Sequence, residues 1–498
     1  MAKRDARQKL NVLITAAECV PFAKTGGLAD VVGALPKYLR KLGHDVRIVL
    51  PRYRVIDEKR FGIEDTGKEV TVNIALSEHI GKIKQTVMPG TDIPVYFIDS
   101  PEFFDREELY RTLQGEYWDN AERFIFFSKA VVEMVKVIDF KPDIINCNDW
   151  HSALIPVFLK TTYAQDEFYK NIGTAFSIHN IAYQGQFDRS KLELAGLPPS
   201  LFNVDEMEFY GGANFMKGGI VFADAVNTVS EKYKEEIQTP EYGYGLDGVL
   251  RHINGKLHGI INGLDYSVWD PATDKYLPLN YDAGTVEKKE EVKWELLKEC
   301  GLKFYDNIPV MGLISRLDDQ KGLDFIATII DDIMRLNIQL VVLGTGKEQY
   351  HEMFNYIKSK YPDKISVNLK FDNRLAHLIY AGSDIFLMPS RFEPCGLGQL
   401  ISLKYGTVPV ARETGGIADT VKRFNFKERT GSGFLFSGYN PHELLRAIRV
   451  AADSYKNKNV WKKIQGNGMK ADFSWELSAK KYSEMFYEIL ENKKEIPK

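Results

Sequence analysis

Lys24-Thr25-Gly26-Gly27-Leu28 lies between the apolar run Asn11–Ala17 and a helical pattern over Leu28–Leu42. A buried strand that breaks at glycines and restarts as a helix leaves backbone N–H groups converging on one spot, a seat for a phosphate or another anion. Lys24 adds a positive charge there. Glycines at such a point also serve the turn alone, so the rest of the chain must decide.

Outward from this stretch, short β-branched runs alternate with helical patterns, as in a parallel α/β sheet. Strands are predicted over Asn11–Ala17, Val46–Leu50, Val70–Ala75, Ile93–Asp99, Asp143–Asn148, Gly173–His179, Ala225–Ser230 and Leu257–Asn262, with helices over Leu28–Leu42, Asn120–Val137, Ser152–Lys160 and Lys232–Ile237. The alternation stops in the polar stretch Asp265–Asn307, which holds one charged helix at Val286–Glu299. A second series follows, with strands over Val310–Ser315, Gln339–Gly344, Ile365–Leu369, Asp384–Pro389, Val408–Ala411 and Gly433–Phe436, and closing helices over Pro441–Tyr455 and Trp475–Glu491. The expectation is two doubly wound domains, residues 1–262 and 263–475, facing each other across a deep cleft, with 476–498 crossing back to the first.

The 498 residues, 44% hydrophobic and 27% charged, suit two large cores. Net charge is −3, from 65 Lys and Arg against 68 Asp and Glu, which offers no field for nucleic acid or an anionic membrane. Cys19, Cys147, Cys300 and Cys395 are scattered, without disulfide or zinc spacing. Met1–Lys9 leads into no signal-like core, and no run of about 18 apolar residues occurs. The expected location is the cytoplasm, as a monomer or small homo-oligomer.

Ligands of doubly wound sheets bind outside strand C-termini, and the unusual residues fall there. Lys24 follows the first strand, Asp149-Trp150-His151 the fifth, and His179-Asn180 the sixth. In the second series Arg316 and Lys321 follow Val310–Ser315, Gly344-Thr345-Gly346 follows the next strand, Arg391 through Gly396 follows Asp384–Pro389, and Thr414-Gly415-Gly416 follows Val408–Ala411. Gln349 stands where a dinucleotide fingerprint needs its third glycine, which disfavours a nicotinamide-dependent oxidoreductase. Arg316 and Lys321 with the Gly415-Gly416 helix start describe a diphosphate clamp without metal, and no Asp-x-Asp occurs to hold one.

Lys24-Thr25-Gly26-Gly27-Leu28-Ala29-Asp30-Val31, Ser390 through Leu397, and Thr414-Gly415-Gly416 through Val421 resemble signatures of bacterial glycogen synthases and plant starch synthases, retaining glucosyltransferases of GT-B fold. The likeness runs from about Asn11 past Trp475. It implies transfer of glucose from ADP-glucose to an α-1,4-glucan, with no cofactor and no metal. UDP-glucose as donor and an inactive glucan-binding protein are the alternatives.

Position by position, the resemblance assigns Lys24, Gly27 and Asp30 to the nucleotide-sugar side, and Asp149, His179 and Asn120 to the acceptor end. Asn262 is implied to face the donor glucose, Arg316 and Lys321 the diphosphate, and Gly344 the nucleotide sugar. Glu393, Cys395, Gly396 and Leu397 are implied to hold the donor sugar, Thr414, Gly415 and Gly416 the distal phosphate, and Phe371 the base. His179, Glu393, Lys321, Arg316 and Asp149 form the catalytic set. The position eight beyond Glu393, an acid in many related enzymes, is Ile401. Same-face attack within one ion pair, with the leaving phosphate as base, fits retention better than a covalent carboxylate.

Overall fold

The computed structural model describes residues 8–112 and 115–495. It divides into two units: one runs through Val229 and takes in Lys234–Gly263 and the chain from Trp475, and the other comprises Ser230–Tyr233 and Leu264–Ser474.

The first unit is built on nine strands: β1 (Asn11–Thr15), β2 (Asp45–Pro51), β3 (Glu64–Ile74), β4 (Ser77–Val87), β5 (Pro94–Asp99), β6 (Ile144–Asn148), β7 (Gly173–Ile178), β8 (Ala225–Thr228) and β9 (Leu257–Gly259). Their order is β9-β8-β7-β6-β1-β2-β5-β4-β3. The seven strands from β9 to β5 are parallel. The order reverses between β1 and β6, which places the crevice of this sheet at the ends of those two strands.

At the other edge β3 and β4 form an antiparallel hairpin that pairs onto β5. This corrects the reading of one short parallel strand at Val70–Ala75. In Ser77–Val87 the few inward residues, Gly81 and Ile83, alternate with exposed residues such as Lys82, and Glu78 and Gln85 are exposed as well, so the stretch reads as polar.

In the second unit six parallel strands, β10 (Val310–Ile314), β11 (Gln339–Leu343), β12 (Ile365–Asn368), β13 (Ile385–Met388), β14 (Val408–Arg412) and β15 (Phe434–Phe436), take the order β12-β11-β10-β13-β14-β15. Successive side chains go to opposite faces, and both faces are covered. Met311, Leu313, Leu340, Val342, Ile385 and Leu387 join one core cluster. Val310, Val341, Leu343, Phe386 and Met388 join the other. That explains strands that read as unbroken apolar runs. The switch point lies between β10 and β13.

The polar stretch 265–307 is packed into the second unit. Trp269 stacks on His377 with centroids 4.0 Å apart, and the buried Asp274 carboxylate accepts from His377 Nδ1 at 2.7 Å and Tyr405 OH at 2.6 Å. A helix unread in the sequence, Lys458–Met469, starts where the Asn457 side chain accepts from Val460 N. Its Gly466 and Gly468 weaken the periodic signal.

The last helix, Trp475–Glu495, belongs to the first unit and buries Tyr482, Phe486 and Ile489 there. A Cβ on Gly173 would lie 2.5 Å from Ile489, so the helix sits directly against the start of β7.

Candidate functional site

In the first unit the loop after β1 is organised by a carboxylate. Glu18, 4% exposed, accepts from the backbone N–H groups of Thr25 at 2.5 Å and Gly26 at 2.9 Å, from Thr25 Oγ1 at 2.6 Å and from Tyr110 OH at 2.9 Å. At the glycine turn where an anion seat is expected, the amides of Thr25 and Gly26 bind the Glu18 carboxylate. Helix Gly27–Lys41 has no side-chain cap of its own, and a negative charge in front of an N-terminus is favourable. Lys24 points elsewhere and pairs with Asp30 at 2.7 and 2.8 Å, leaving Gly27 exposed between them.

At the end of β6 the chain turns sharply. Asp149 has φ +55 and ψ 178, a backbone region that a non-glycine residue occupies at a strain of about 1–3 kcal/mol. The turn aims its buried carboxylate at the end of β7, where Oδ1 accepts from His179 N at 2.8 Å. Burial raises this carboxyl to about 7, against the pull of backbone N–H donors from His179 and Asn180. The His179 ring is also buried, which pushes it down to about 3 and keeps it neutral. Its Nε2 lies 2.9 Å from Asn148 Oδ1. Asn262, after β9, has a buried Oδ1 with no partner, an acceptor suited to a ligand hydroxyl.

Asn120 is in a different setting. It is 1% exposed, its Nδ2 donates to Tyr110 O at 3.0 Å and its Oδ1 accepts from Arg123 at 2.7 Å. One N–H and one lone pair of its amide are engaged in this way; it holds Tyr110, and Tyr110 holds Glu18.

In the second unit the centre is the switch point. Lys321 Nζ donates to Glu393 Oε2 at 2.7 Å, and Ser390 Oγ donates to the same oxygen at 3.0 Å. Lys321 is placed by a tight turn. Gly322 has φ +67, and a Cβ there would lie 2.0 Å from Pro389 O, so the β10 and β13 loops touch through glycine. Lys321 and Glu393 line a small cleft with Ser315, whose buried Oγ has no partner. Arg316 is exposed on the same loop. Gly344 backs it, since a Cβ there would meet Ser315 O at 2.1 Å. Phe371 stands 83% exposed after β12.

Cys395 and Gly396 are buried beside Glu393, with Leu397 partly so. Gly415 and Gly416 lie where two loops meet. Gly416 N donates to Glu393 O and Pro394 O, both at 3.1 Å, and a Cβ on it would lie 2.1 Å from Cys395 O. These glycines let one loop lie on the other, with the Gly416 amide engaged with protein; Thr414 is buried.

Glu18, Tyr110 and Asn148 escaped the sequence reading. The only available signal was a polar residue inside or just beyond an apolar strand, which marks many structural positions as well. Among the described residues no group of three or more His, Cys, Asp and Glu is arranged to hold a metal ion, and no helix is long and apolar enough to cross a membrane.

Residues 11–252 match the starch synthase catalytic domain, and residues 301–465 match glycosyl transferases group 1. The glycogen synthase of Thermotoga maritima is 47% identical over 486 residues, covering 97% of this chain and 99% of its own. That of Geotalea daltonii is 47% identical over 484 residues, covering 97% of this chain and 100% of its own. Among solved structures, the catalytic domain of starch synthase IV from Arabidopsis thaliana, bound to ADP and acarbose, aligns with a TM-score of 0.91 at 35% identity, covering 97% of this chain and all of that one. A sucrose-phosphate synthase from Thermosynechococcus elongatus, at a TM-score of 0.60 and 16% identity, shares the fold. The chain belongs to the glycogen and starch synthase family of GT-B glycosyltransferases.

Proposed function

We propose that the chain transfers glucose from ADP-glucose to the non-reducing end of an α-1,4-glucan with retention of configuration. The observation that carries the reading is the Lys321–Glu393 pair at the β10/β13 switch point, with Arg316 exposed on the same loop. Lys321 has three donor protons and Glu393 takes one, so two remain for phosphate oxygens. Arg316 adds a planar fork suited to a diphosphate. Together they stabilise negative charge on the leaving ADP, the task a divalent ion performs in other sugar-nucleotide enzymes, and no metal takes part in this reading.

The other residues divide by chemistry. Glu393, Cys395, Gly396 and Leu397 bound the donor glucose, and Phe371 offers an exposed ring to the base. Gly344, Thr414, Gly415 and Gly416 shape the phosphate cradle as close-packed backbone. In the first unit Asn262 accepts from a donor hydroxyl through its unpartnered Oδ1, and His179, as a neutral ring, and the buried Asp149 carboxyl serve the reacting sugar end. Lys24 and Asp30 act as a pair on the nucleotide-sugar side, with Gly27 giving room. The departing phosphate takes the acceptor hydroxyl's proton, since Glu393 is committed to Lys321 and Ser390.

The names of the relatives, and the ADP and acarbose held by the Arabidopsis protein, support an adenine nucleotide and a glucan. Four free cysteines suit a reducing cytoplasm. Steady-state rates with ADP-glucose and with UDP-glucose, on glycogen and on maltooligosaccharides, test the reading. ADP-glucose should give the higher kcat/KM; preference for UDP-glucose refutes the donor assignment, and no nucleotide release with either refutes the enzyme.

A further inference from the structure

A single-file set of buried side chains crosses the first sheet beneath His179. His179 Nε2 meets Asn148 Oδ1 at 2.9 Å, and Asn148 Nδ2 donates to Asn146 Oδ1 at 3.3 Å. Asn146 Nδ2 donates to Ser177 Oγ at 2.9 Å, Ser177 Oγ donates to Asn227 Oδ1 at 2.7 Å, and Asn227 Nδ2 donates to Tyr482 OH at 3.0 Å in the last helix. All six side chains lie in residues no more than 9% exposed. Polar groups inside a parallel sheet are costly unless each is satisfied, and here every link has one donor and one acceptor.

The direction of the chain is not free. Asn148 Nδ2 also donates to two main-chain carbonyls, Thr15 O at 3.0 Å and Asn146 O at 3.2 Å. Rotating the amide by half a turn would set its oxygen against both carbonyl oxygens and its NH2 against the imidazole. The oxygen must therefore face His179. A neutral imidazole that meets an acceptor at Nε2 carries its proton there, which leaves Nδ1 as a bare lone pair. Burial keeps the ring from taking a second proton.

We propose that Asn148 is a positioning residue that fixes His179 in the Nε2–H tautomer, so that its Nδ1 presents a hydrogen-bond acceptor to a hydroxyl of the reacting glucan or glucose. The residues beyond it, ending at Tyr482, hold Asn148 in that sense. This rests on the placement of His179 at the reacting sugar end, and the two ideas fail separately: activity of His179→Ala tests that placement, and the ring tautomer tests this one.

The experiment is 15N NMR of ring-labelled histidine in the full-length chain, with the His179 signals identified by their loss in His179→Ala. In the parent chain Nε2 should show the protonated and Nδ1 the unprotonated shift at neutral pH. Asn148→Ala should give averaged shifts from mixed tautomers, with kcat about tenfold lower, the weight of one buried hydrogen bond, and KM for glucan changed by less than about threefold. A parent chain protonated on Nδ1 overturns the proposal, as does an Asn148→Ala chain with unchanged tautomer and kcat. Should the alanine variant not fold, the parent spectrum still decides, since a ring protonated on Nδ1 overturns the proposal by itself.

Discussion

Lys321→Ala separates two things that one ion pair can do. In the folded chain the ammonium lies 2.7 Å from Glu393 Oε2, with side-chain exposures of 18% and 9%. Removing it leaves a buried carboxylate with only the Ser390 hydroxyl at 3.0 Å on that oxygen. Breaking a fully buried pair this way costs about 3–5 kcal/mol, and the partial exposure of Lys321 puts this one near the lower end. In catalysis the loss is a preorganised cation at the point where charge builds on the leaving phosphate. Such a donor is worth about 2.7–4 kcal/mol, or about a hundredfold to a thousandfold in kcat. Lys321→Ala should therefore be both less stable in urea and at least about a hundredfold slower.

The double variant Lys321→Ala with Glu393→Gln tells the two apart. A neutral amide in place of the stranded carboxylate recovers most of the stability. It returns no cation, so kcat at saturating ADP-glucose stays low. A drop of only twofold in the single variant, or a double variant whose activity recovers along with its urea midpoint, would refute the clamp.

Glu18→Ala removes the acceptor of four hydrogen bonds, two of them from backbone amides, and should destabilise the first unit by about 2–3 kcal/mol in a urea melt. Gly416→Ala drives a methyl onto Cys395 O and should cost about 1–3 kcal/mol of stability. Because the His179 pKa is lowered to about 3 in the folded chain, its unfolded form binds the extra proton first. That contribution is present above about pH 6.5 and is lost as pH falls from there toward 3, so His179→Gln should show a shallower loss of Tm on acidification than the parent. Arg316→Ala should weaken ADP binding, read by calorimetry, by about tenfold to a hundredfold while leaving Tm unchanged, because the side chain is exposed.

Both sheets were legible because their strands are buried on two faces and alternate with amphipathic helices. Leu323–Arg335 shows the signal well: Phe325, Ile326, Ile329, Ile330 and Ile333 face the core while Asp331 and Asp332 do not. The β3–β4 hairpin was not legible, since its partner is the sheet edge and one side meets solvent. The Asp265–Asn307 stretch misled for the opposite reason. Its polar residues look loose in sequence, but Asp274 and Lys289 are buried, and Lys289 bonds Thr407 Oγ1 at 2.7 Å and the carbonyl of Ala381. Candidate site positions were marked in the sequence only as residue types at strand ends. What the sequence could not convey was which polar groups would be satisfied by the protein itself, because Glu18, Tyr110 and Thr25 are joined only by folding.

That distinction changes how anions are held. Glycine pairs at two helix starts suggested backbone amides as the phosphate-binding groups. In the fold, Thr25 and Gly26 bind Glu18, and Gly416 binds the carbonyls of Glu393 and Pro394. The glycines give close approach, and on the proposed reading anion recognition falls to side-chain cations. Two of these are already balanced, Lys24 by Asp30 and Lys321 by Glu393. A balanced cation attracts a diphosphate weakly at a distance but fixes it well on contact, because its position is set before the ligand arrives. Arg316, exposed and without an ion pair among the described residues, is the group left to draw the charge in. Binding strength should therefore follow Arg316, and rate should follow Lys321.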